Sequence, residues 1–190
     1  AGSNRRPLVR VVDRAGNEAA APVVFTIPSL TAIYFVNQAV TSSGDCLGWA
    51  TACKHLQDAL AKNPPSGSQI WVAAGTYYPN DATSGSYTTF TIPPGIRVYG
   101  GFAGTESAPA ERDLTTNLTV LSGNSLYRVV TMNGTLGSPV VPITSTTRLD
   151  GFTITAGKET AYGGGGLFCI GSQYGGSAPG NCSPTLANLT

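Results

Sequence analysis

The sequence predicts an all-β solenoid, in which short strands stack in register around a shared core and helix is the minority element. Three apolar strings point to it: Ile70-Trp-Val-Ala-Ala-Gly-Thr-Tyr-Tyr-Pro79, Ile96-Arg-Val-Tyr-Gly-Gly-Phe-Ala-Gly104 and Leu149-Asp-Gly-Phe-Thr-Ile-Thr-Ala-Gly157. Each holds a handful of β-branched or aromatic residues before a glycine, too few for a helix and right for a short strand buried on one face. One such strand cannot bury itself, whereas several in register share a continuous core. Composition agrees. With 24 Gly, 13 Pro and only 11% charged residues in 190, the chain has the make-up of a turn-rich β protein whose surface is Thr, Ser and Asn. Leu, Ile and Val run throughout, so it is not a disordered composition.

The net charge of +1 offers no polyanion-binding field. Arg5, Arg6, Arg10 and Arg14 are offset in part by Asp13 and Glu18, so nucleic acid is not an expected partner. No apolar run approaches the roughly 20 residues that span a bilayer. The start, Ala1-Gly-Ser-Asn-Arg-Arg6, has no h-region of a signal peptide, and the expectation is a chain already processed or cut from something longer.

Four cysteines form two local pairs, Cys46 with Cys53 and Cys169 with Cys182. Zinc favours tight C-x-x-C spacing with histidine partners, and His55 is the only histidine. Disulfides are the better reading, and with them an extracellular or cell-surface location. Three connectivities are open to four cysteines. A nearest-neighbour bridge closes a short loop, worth of order 2–3 kcal/mol before strain.

Taken in order, residues 1–28 form a first unit. Pro7-Leu-Val-Arg-Val-Val-Asp13 and Pro22-Val-Val-Phe-Thr-Ile27 flank Arg14-Ala-Gly-Asn-Glu18 and predict a β-hairpin. The stretch resembles the last two strands of a bacterial immunoglobulin-like repeat. A hairpin that caps the chain's own core is the other reading, and both stay open. Residues 29–190 form the second unit, opening with a strand at Ile33-Tyr-Phe-Val36. A helix is predicted from Trp49 to Lys62, with Leu56, Ala59 and Leu60 on one face and Pro64-Pro65 to stop it. Placed before the rungs, it suits a cap over an otherwise open first edge. Further strands are expected at residues 70–73, 89–92, 96–100, 119–122, 129–132, 149–155, 166–170 and 185–189. Their spacing is irregular, with loops 79–88, 103–116 and 171–183 projecting from the stack.

The ordered set Ile33-Tyr-Phe-Val36, Trp49 with His55-Leu-Gln-Asp-Ala-Leu60, Ile70–Tyr77, Ile96–Phe102, Glu111-Arg-Asp113, Thr119-Val-Leu-Ser-Gly123, Leu149–Ile154 and Gly163-Gly-Gly-Gly-Leu-Phe168 resembles the N-terminal part of bacterial right-handed parallel β-helix surface proteins of the adhesin-like kind. The resemblance covers roughly residues 33–190 and implies that fold, with the helix as cap. It departs from the pattern in the Cys46/Cys53 loop and in stopping at Ser183-Pro-Thr-Leu-Ala-Asn-Leu-Thr190, where such proteins open a further rung.

Parallel β-helices include polysaccharide lyases and hydrolases, which need clustered carboxylates for calcium or for acid and base work. Here the acids are scattered. The one candidate constellation is Glu111, Arg112 and Asp113 with Glu106; the competing reading has Arg112 bonding turn carbonyls and pairing with a neighbouring acid. Asp150 sits beside Arg148. His55 is expected to be a solvated helical residue, and Gly163–Gly166 a tight turn of the coil rather than a phosphate cradle. Asn117, Asn133, Asn181 and Asn188 each open an N-x-Ser/Thr acceptor pattern for N-glycosylation. Of the tyrosines that suit a sugar-stacking surface, Tyr99 is expected in the core, and Tyr78, Tyr87 and Tyr174 are left open.

The expectation is therefore a non-enzymatic extracellular protein, structural and adhesin-like, with no cofactor and no metal. Its expected partners are further copies of itself or other cell-surface proteins, with polysaccharide as a further class. Open coil ends and the spare hairpin suggest head-to-tail stacking into filaments by strand donation. The alternative is a carbohydrate-active enzyme or carbohydrate-binding β-helix acting through Glu111, Arg112 and Asp113.

Overall fold

Which way alternate residues point decides how this chain stacks. The computed structural model describes residues 8–12, 18–22, 31–81, 87–135, 140–158, 164–171 and 181–190. Its strands, in chain order, are β1 (Leu8–Val12), β2 (Glu18–Pro22), β3 (Ile33–Val36), β4 (Gln69–Ala73), β5 (Gly75–Tyr77), β6 (Phe90–Thr91), β7 (Arg97–Phe102), β8 (Thr119–Ser122), β9 (Val130–Asn133), β10 (Arg148–Thr155), β11 (Leu167–Ile170) and β12 (Thr185–Leu189). One α-helix, α1 (Leu56–Ala61), lies among the described residues. The protein is mostly β. From β3 onward the strands pair in parallel.

Three ladders result. In the first, β3, β4, β7, β10 and β12 lie side by side, and Tyr34, Ile70, Val98, Leu149 and Leu186 stand opposite one another in turn. The second joins β5, β8 and the end of β10, stacking Tyr77, Leu121 and Ile154. The third joins β6, β9 and β11, stacking Phe90, Val130 and Leu167. Because β10 serves both the first and second ladders, those two form one curled seven-stranded sheet beside a three-stranded one. Ile70, Val98, Leu121, Phe90, Val130, Met132 and Leu149 are all fully buried in the shared core. Side chains alternate along a strand, so burying Ile70, Val98 and Leu149 turns residues 69, 71, 97, 99, 148 and 150 to the opposite, outer face.

The corner between the first two ladders requires glycine. Gly101 and Gly151 adopt φ of +91° and +83°, a region that strains any residue bearing a Cβ. A Cβ at Gly151 would also lie 2.8 Å from Leu114 Cδ2 and 3.1 Å from the Gly100 carbonyl oxygen.

The predicted helix over 49–62 is shorter than expected. Trp49–Thr51 is a single 3-10 turn, and the α-helix begins only at Leu56, with His55 extended at φ −119° and ψ 144° just before it. Hydrogen bonding explains the break. Cys53 forms a parallel bridge with Val36, and the amides of Phe35 and Asn37 donate to the Cys46 and Cys53 carbonyls at 2.8 Å, while Cys53 N donates to Phe35 O. The 46–53 loop, closed by the Cys46–Cys53 disulfide, thus satisfies the edge of β3, as strand edges require. Six helical residues are too few to stand alone; burial of Leu56, Ala59 and Leu60 holds them.

The hairpin is present with its second strand displaced. β1 and β2 pair antiparallel with Val12 opposite Glu18 and Leu8 opposite Pro22, so the partner strand starts directly after a short connection rather than at the apolar 22–27 run. Connection length fixes hairpin register. Residues 23–27 lie outside the described residues. The other predicted strands agree closely with those observed, except that β5 was not expected as a separate element.

Candidate functional site on the outer face

The outer face of the first ladder carries two adjacent rows. Phe35, Trp71, Tyr99, Asp150 and Ala187 form one, and Ile33, Gln69, Arg97, Arg148 and Thr185 the other. The aromatic end is roofed over. Trp71 stacks on Phe102 with ring centroids 4.8 Å apart and 8° between planes, and Trp49 packs on Phe35 at 4.8 Å and Phe102 at 5.7 Å. Two indole hydrogen bonds fix the arrangement: Trp71 Nε1 donates to Gln69 Oε1, and Trp49 Nε1 donates to the Glu106 carbonyl, both at 2.9 Å.

Farther along the face the chemistry becomes ionic. Tyr99 was expected in the core, but its neighbour Val98 takes the inward position and strand alternation turns Tyr99 outward. It sits half-buried, with the Arg112 and Arg148 guanidinium carbons 5.1 Å and 5.9 Å from its ring centroid, an attractive cation–π geometry. Both arginines converge on Asp150, which is 1% exposed. Arg148 donates from Nε at 3.0 Å and Nη2 at 2.8 Å, and Arg112 from Nη2 at 3.5 Å, all to Oδ2. Asn188 Nδ2 donates to Oδ1 at 2.7 Å. Burial pushes the Asp150 carboxyl up, but the Asn188 and Arg148 hydrogen bonds and the two cations outweigh it and hold the group below its ordinary range.

The 103–116 loop places Glu111, Arg112 and Asp113 in different local frames. Glu111 Oε2 accepts from the amides of Ser107 at 2.7 Å and Ala108 at 3.2 Å. Asp113 Oδ1 accepts from Thr115 N at 2.9 Å, Thr115 Oγ1 at 2.6 Å and Thr116 N at 3.0 Å. Glu106 accepts from the amides of Ala103, Gly104 and Thr105. Arg112 donates from Nε to the Pro109 carbonyl at 3.0 Å and from Nη1 to the Gly100 carbonyl at 3.3 Å. These hydrogen bonds hold Glu111 and Asp113 below the usual carboxylate range; for Glu106, partial burial works the other way and the amides prevail. Adjacent in sequence, the three predicted residues do not converge. Arg112 instead meets Asp150, which makes it the strut between loop and sheet.

The disulfides are Cys46–Cys53 and Cys169–Cys182. Among the described residues no group of His, Cys, Asp and Glu side chains is placed to hold a metal ion, and no helix is long and apolar enough to cross a membrane. Asn133 Oδ1 accepts from Thr135 N at 2.9 Å and Oγ1 at 2.7 Å, Asn117 Nδ2 donates to Gly101 O at 3.4 Å, Asn188 is engaged by Asp150, and Asn181 is exposed. Tyr77 is buried and donates its hydroxyl to the Ala73 carbonyl at 3.0 Å, and burial pushes its phenol up. Tyr78 and Tyr87 are half-buried, and Tyr174 lies outside the described residues. The carbonyls of Gly165 and Gly166 accept from Val129 N and Val130 N, both at 2.9 Å, so this end of the glycine run serves strand pairing.

Sequence reasoning passed over Arg97, and took Trp49 only as a helix start and Asn188 only as a glycosylation acceptor. For Arg97 a signal exists: once Val98 is placed in the core, residues 97 and 99 must face outward together. Compared with models of known families, with curated proteins and with solved structures, the chain matches none.

Proposed function

We propose that the chain is a right-handed parallel β-helix and that it works as an extracellular, non-catalytic, adhesin-like surface protein. The fold part is supported by the order of the ladders: β4, β5, β6, then β7, β8, β9, then β10 and β11, visit the same three positions in the same sequence. Parallel crossovers are right-handed in nearly all proteins. The functional part rests on one observation: the carboxylates of the 103–116 loop are engaged by that loop's own amides and hydroxyls. Acid–base catalysis needs such groups free to exchange a proton with a substrate. Two disulfides favour an oxidising compartment.

Self-association belongs to the same reading. Among the described residues β12 pairs on one side only, with β10, and Leu186, last of the inner row, is 46% exposed. A further parallel rung, from the continuing chain or from a second copy, fits that edge.

The test is twofold. Membrane-impermeant biotin applied to intact cells that produce the protein is expected to label it, and the purified chain is expected to release no reducing ends or unsaturated products from uronate, chitin or glucan polymers. Turnover that disappears in Glu111→Gln or Asp113→Asn overturns the reading in favour of a carbohydrate-active enzyme. Light scattering addresses association: a chain that stays monomeric at high concentration removes the filament from the proposal.

A further inference from the structure

The outer row Gln69, Arg97, Arg148 holds an unbalanced positive charge. Arg97 and Arg148 are directly opposite on neighbouring parallel strands, on the same face and about 4.8 Å apart along the stack. Like charges so placed repel. For Arg148 the repulsion is offset by Asp150, which it shares with Arg112. The Arg97 backbone amide donates to Ser68 O at 3.1 Å, but among the described residues its guanidinium makes no hydrogen bond or ion pair. The nearby acids do not supply one, since Glu106, Glu111 and Asp113 are bound to their own loop. Two guanidiniums, Arg112 and Arg148, therefore share the buried Asp150 carboxylate, and the charge of Arg97 beside Arg148 is left without a counter-ion among the described residues. Asp150 shows what the face accepts: a carboxylate oxygen that takes two N–H groups of one guanidinium. Gln69 extends the row by one rung, and with Oε1 taken by Trp71 its amide N–H groups are its remaining donors.

From this geometry we infer that the Gln69–Arg97–Arg148 row binds the carboxylate of a uronate-bearing polysaccharide, lying along the stack with Arg97 as the principal contact. A linear glycan is favoured because Gln69, Arg97 and Arg148 are each partly exposed on consecutive rungs, so that their donors recur at the rung spacing, which is comparable to one pyranose residue. The inference rests on the adhesin-like reading and supplies its ligand class.

Affinity electrophoresis of the whole chain in gels containing polygalacturonate, dextran sulfate or neutral dextran tests it. Retardation is expected in polygalacturonate and not in neutral dextran, and Arg97→Gln is expected to weaken it by about tenfold, the effect of losing one charge-assisted contact. Arg97→Lys should recover part of the loss, whereas Lys62→Gln, on the exposed end of the helix far along the chain, should change nothing. Circular dichroism of Arg97→Gln separates loss of binding from loss of fold. Dextran sulfate, polyglutamate or single-stranded DNA retarding the protein as strongly, with no effect of Arg97→Gln, overturns the inference in favour of unspecific charge attraction. No retardation in polygalacturonate also overturns it and leaves the non-catalytic reading intact. Binding accompanied by cleavage of polygalacturonate would instead keep the site and remove that reading.

Discussion

Replacing Asp150 by Asn keeps the side chain's shape and deletes the charge on which Arg148, Arg112 and Asn188 converge. Removing one partner of a buried ion pair costs about 3–5 kcal/mol. Arg148 and Arg112 keep 34% and 15% of their side chains exposed, so water recovers part of their solvation and the figure must be discounted. Asn also retains an acceptor oxygen for one of the N–H groups. A loss of about 2 kcal/mol is expected, and at this chain length each kcal/mol shifts Tm by about 2–4 °C, so Tm should fall by about 4–8 °C. Urea denaturation followed by tryptophan fluorescence is the assay, with the midpoint falling and the slope unchanged. Because Arg112 links the loop to the sheet through this carboxylate, Asp150→Asn and Arg112→Gln should be coupled in a double-mutant cycle by at least about 0.5 kcal/mol. Additive losses, or an Asp150→Asn protein within about 0.5 kcal/mol of the parent, would refute the view that this carboxylate joins the two segments.

Three further outcomes follow from the same structure. Glu106, Glu111, Asp113 and Asp150 all have lowered carboxyl pKa values, so their contribution is present above the ordinary carboxylate range of about 4 and is lost as pH falls through the lowered values. Urea midpoints should hold steady from neutral pH down to about 5 and fall steeply below about 4, and a stability that rises on acidification would reverse the sign. Gly151→Ala places a Cβ at φ +83° against Leu114 and the Gly100 carbonyl and should cost about 1–3 kcal/mol by thermal denaturation; an unchanged Tm would show that the corner is not constrained. Converting Cys46 and Cys53 to Ser reopens a short loop (sequence separation 7), worth about 2.5 kcal/mol by loop entropy, and should speed amide exchange at Phe35 and Asn37, whose protons are held by that loop. Protection equal to the parent's would mean that the loop keeps its hydrogen bonds to β3 without the disulfide.

Much of the fold was legible because the rungs are locally marked. Ile70-Trp-Val, Ile96-Arg-Val and Leu149-Asp-Gly-Phe-Thr-Ile each combine branched residues with a closing glycine, and β8 and β12 fall on the predicted residues. The errors share one cause. A helix from Trp49 is reasonable by local propensity, but Cys53 finds a long-range partner in Val36, and a tertiary backbone pairing outweighs a few tenths of a kcal/mol of helix preference per residue. In the hairpin likewise, Glu18-Ala-Ala-Ala-Pro22 is a weak strand by composition, yet it pairs antiparallel with β1, only five residues before it in the chain.

The site was less legible, for a reason of geometry. Residue parity on a strand is local, so Arg148 beside Asp150 can be read from the sequence, and Arg97 and Tyr99 follow once Val98 is assigned inward. The other partners of Asp150 are set by which residues lie on the adjacent rung. That offset differs from turn to turn: Gln69 lies against Arg97, Arg97 against Arg148, and Arg148 against Thr185. Loops of different length are inserted between rungs at little entropic cost, and each insertion resets the numbering of the neighbour. Asn188 therefore reaches Asp150 through β12's register, and Arg112 reaches it from a loop whose other charged groups bind their own amides. Grouping Glu111, Arg112 and Asp113 by sequence proximity joins residues that the fold separates. In a stack of this kind the sequence reveals the face on which a residue lies more readily than the residue it meets there, and the charge left uncompensated at Arg97 becomes visible only when both are known.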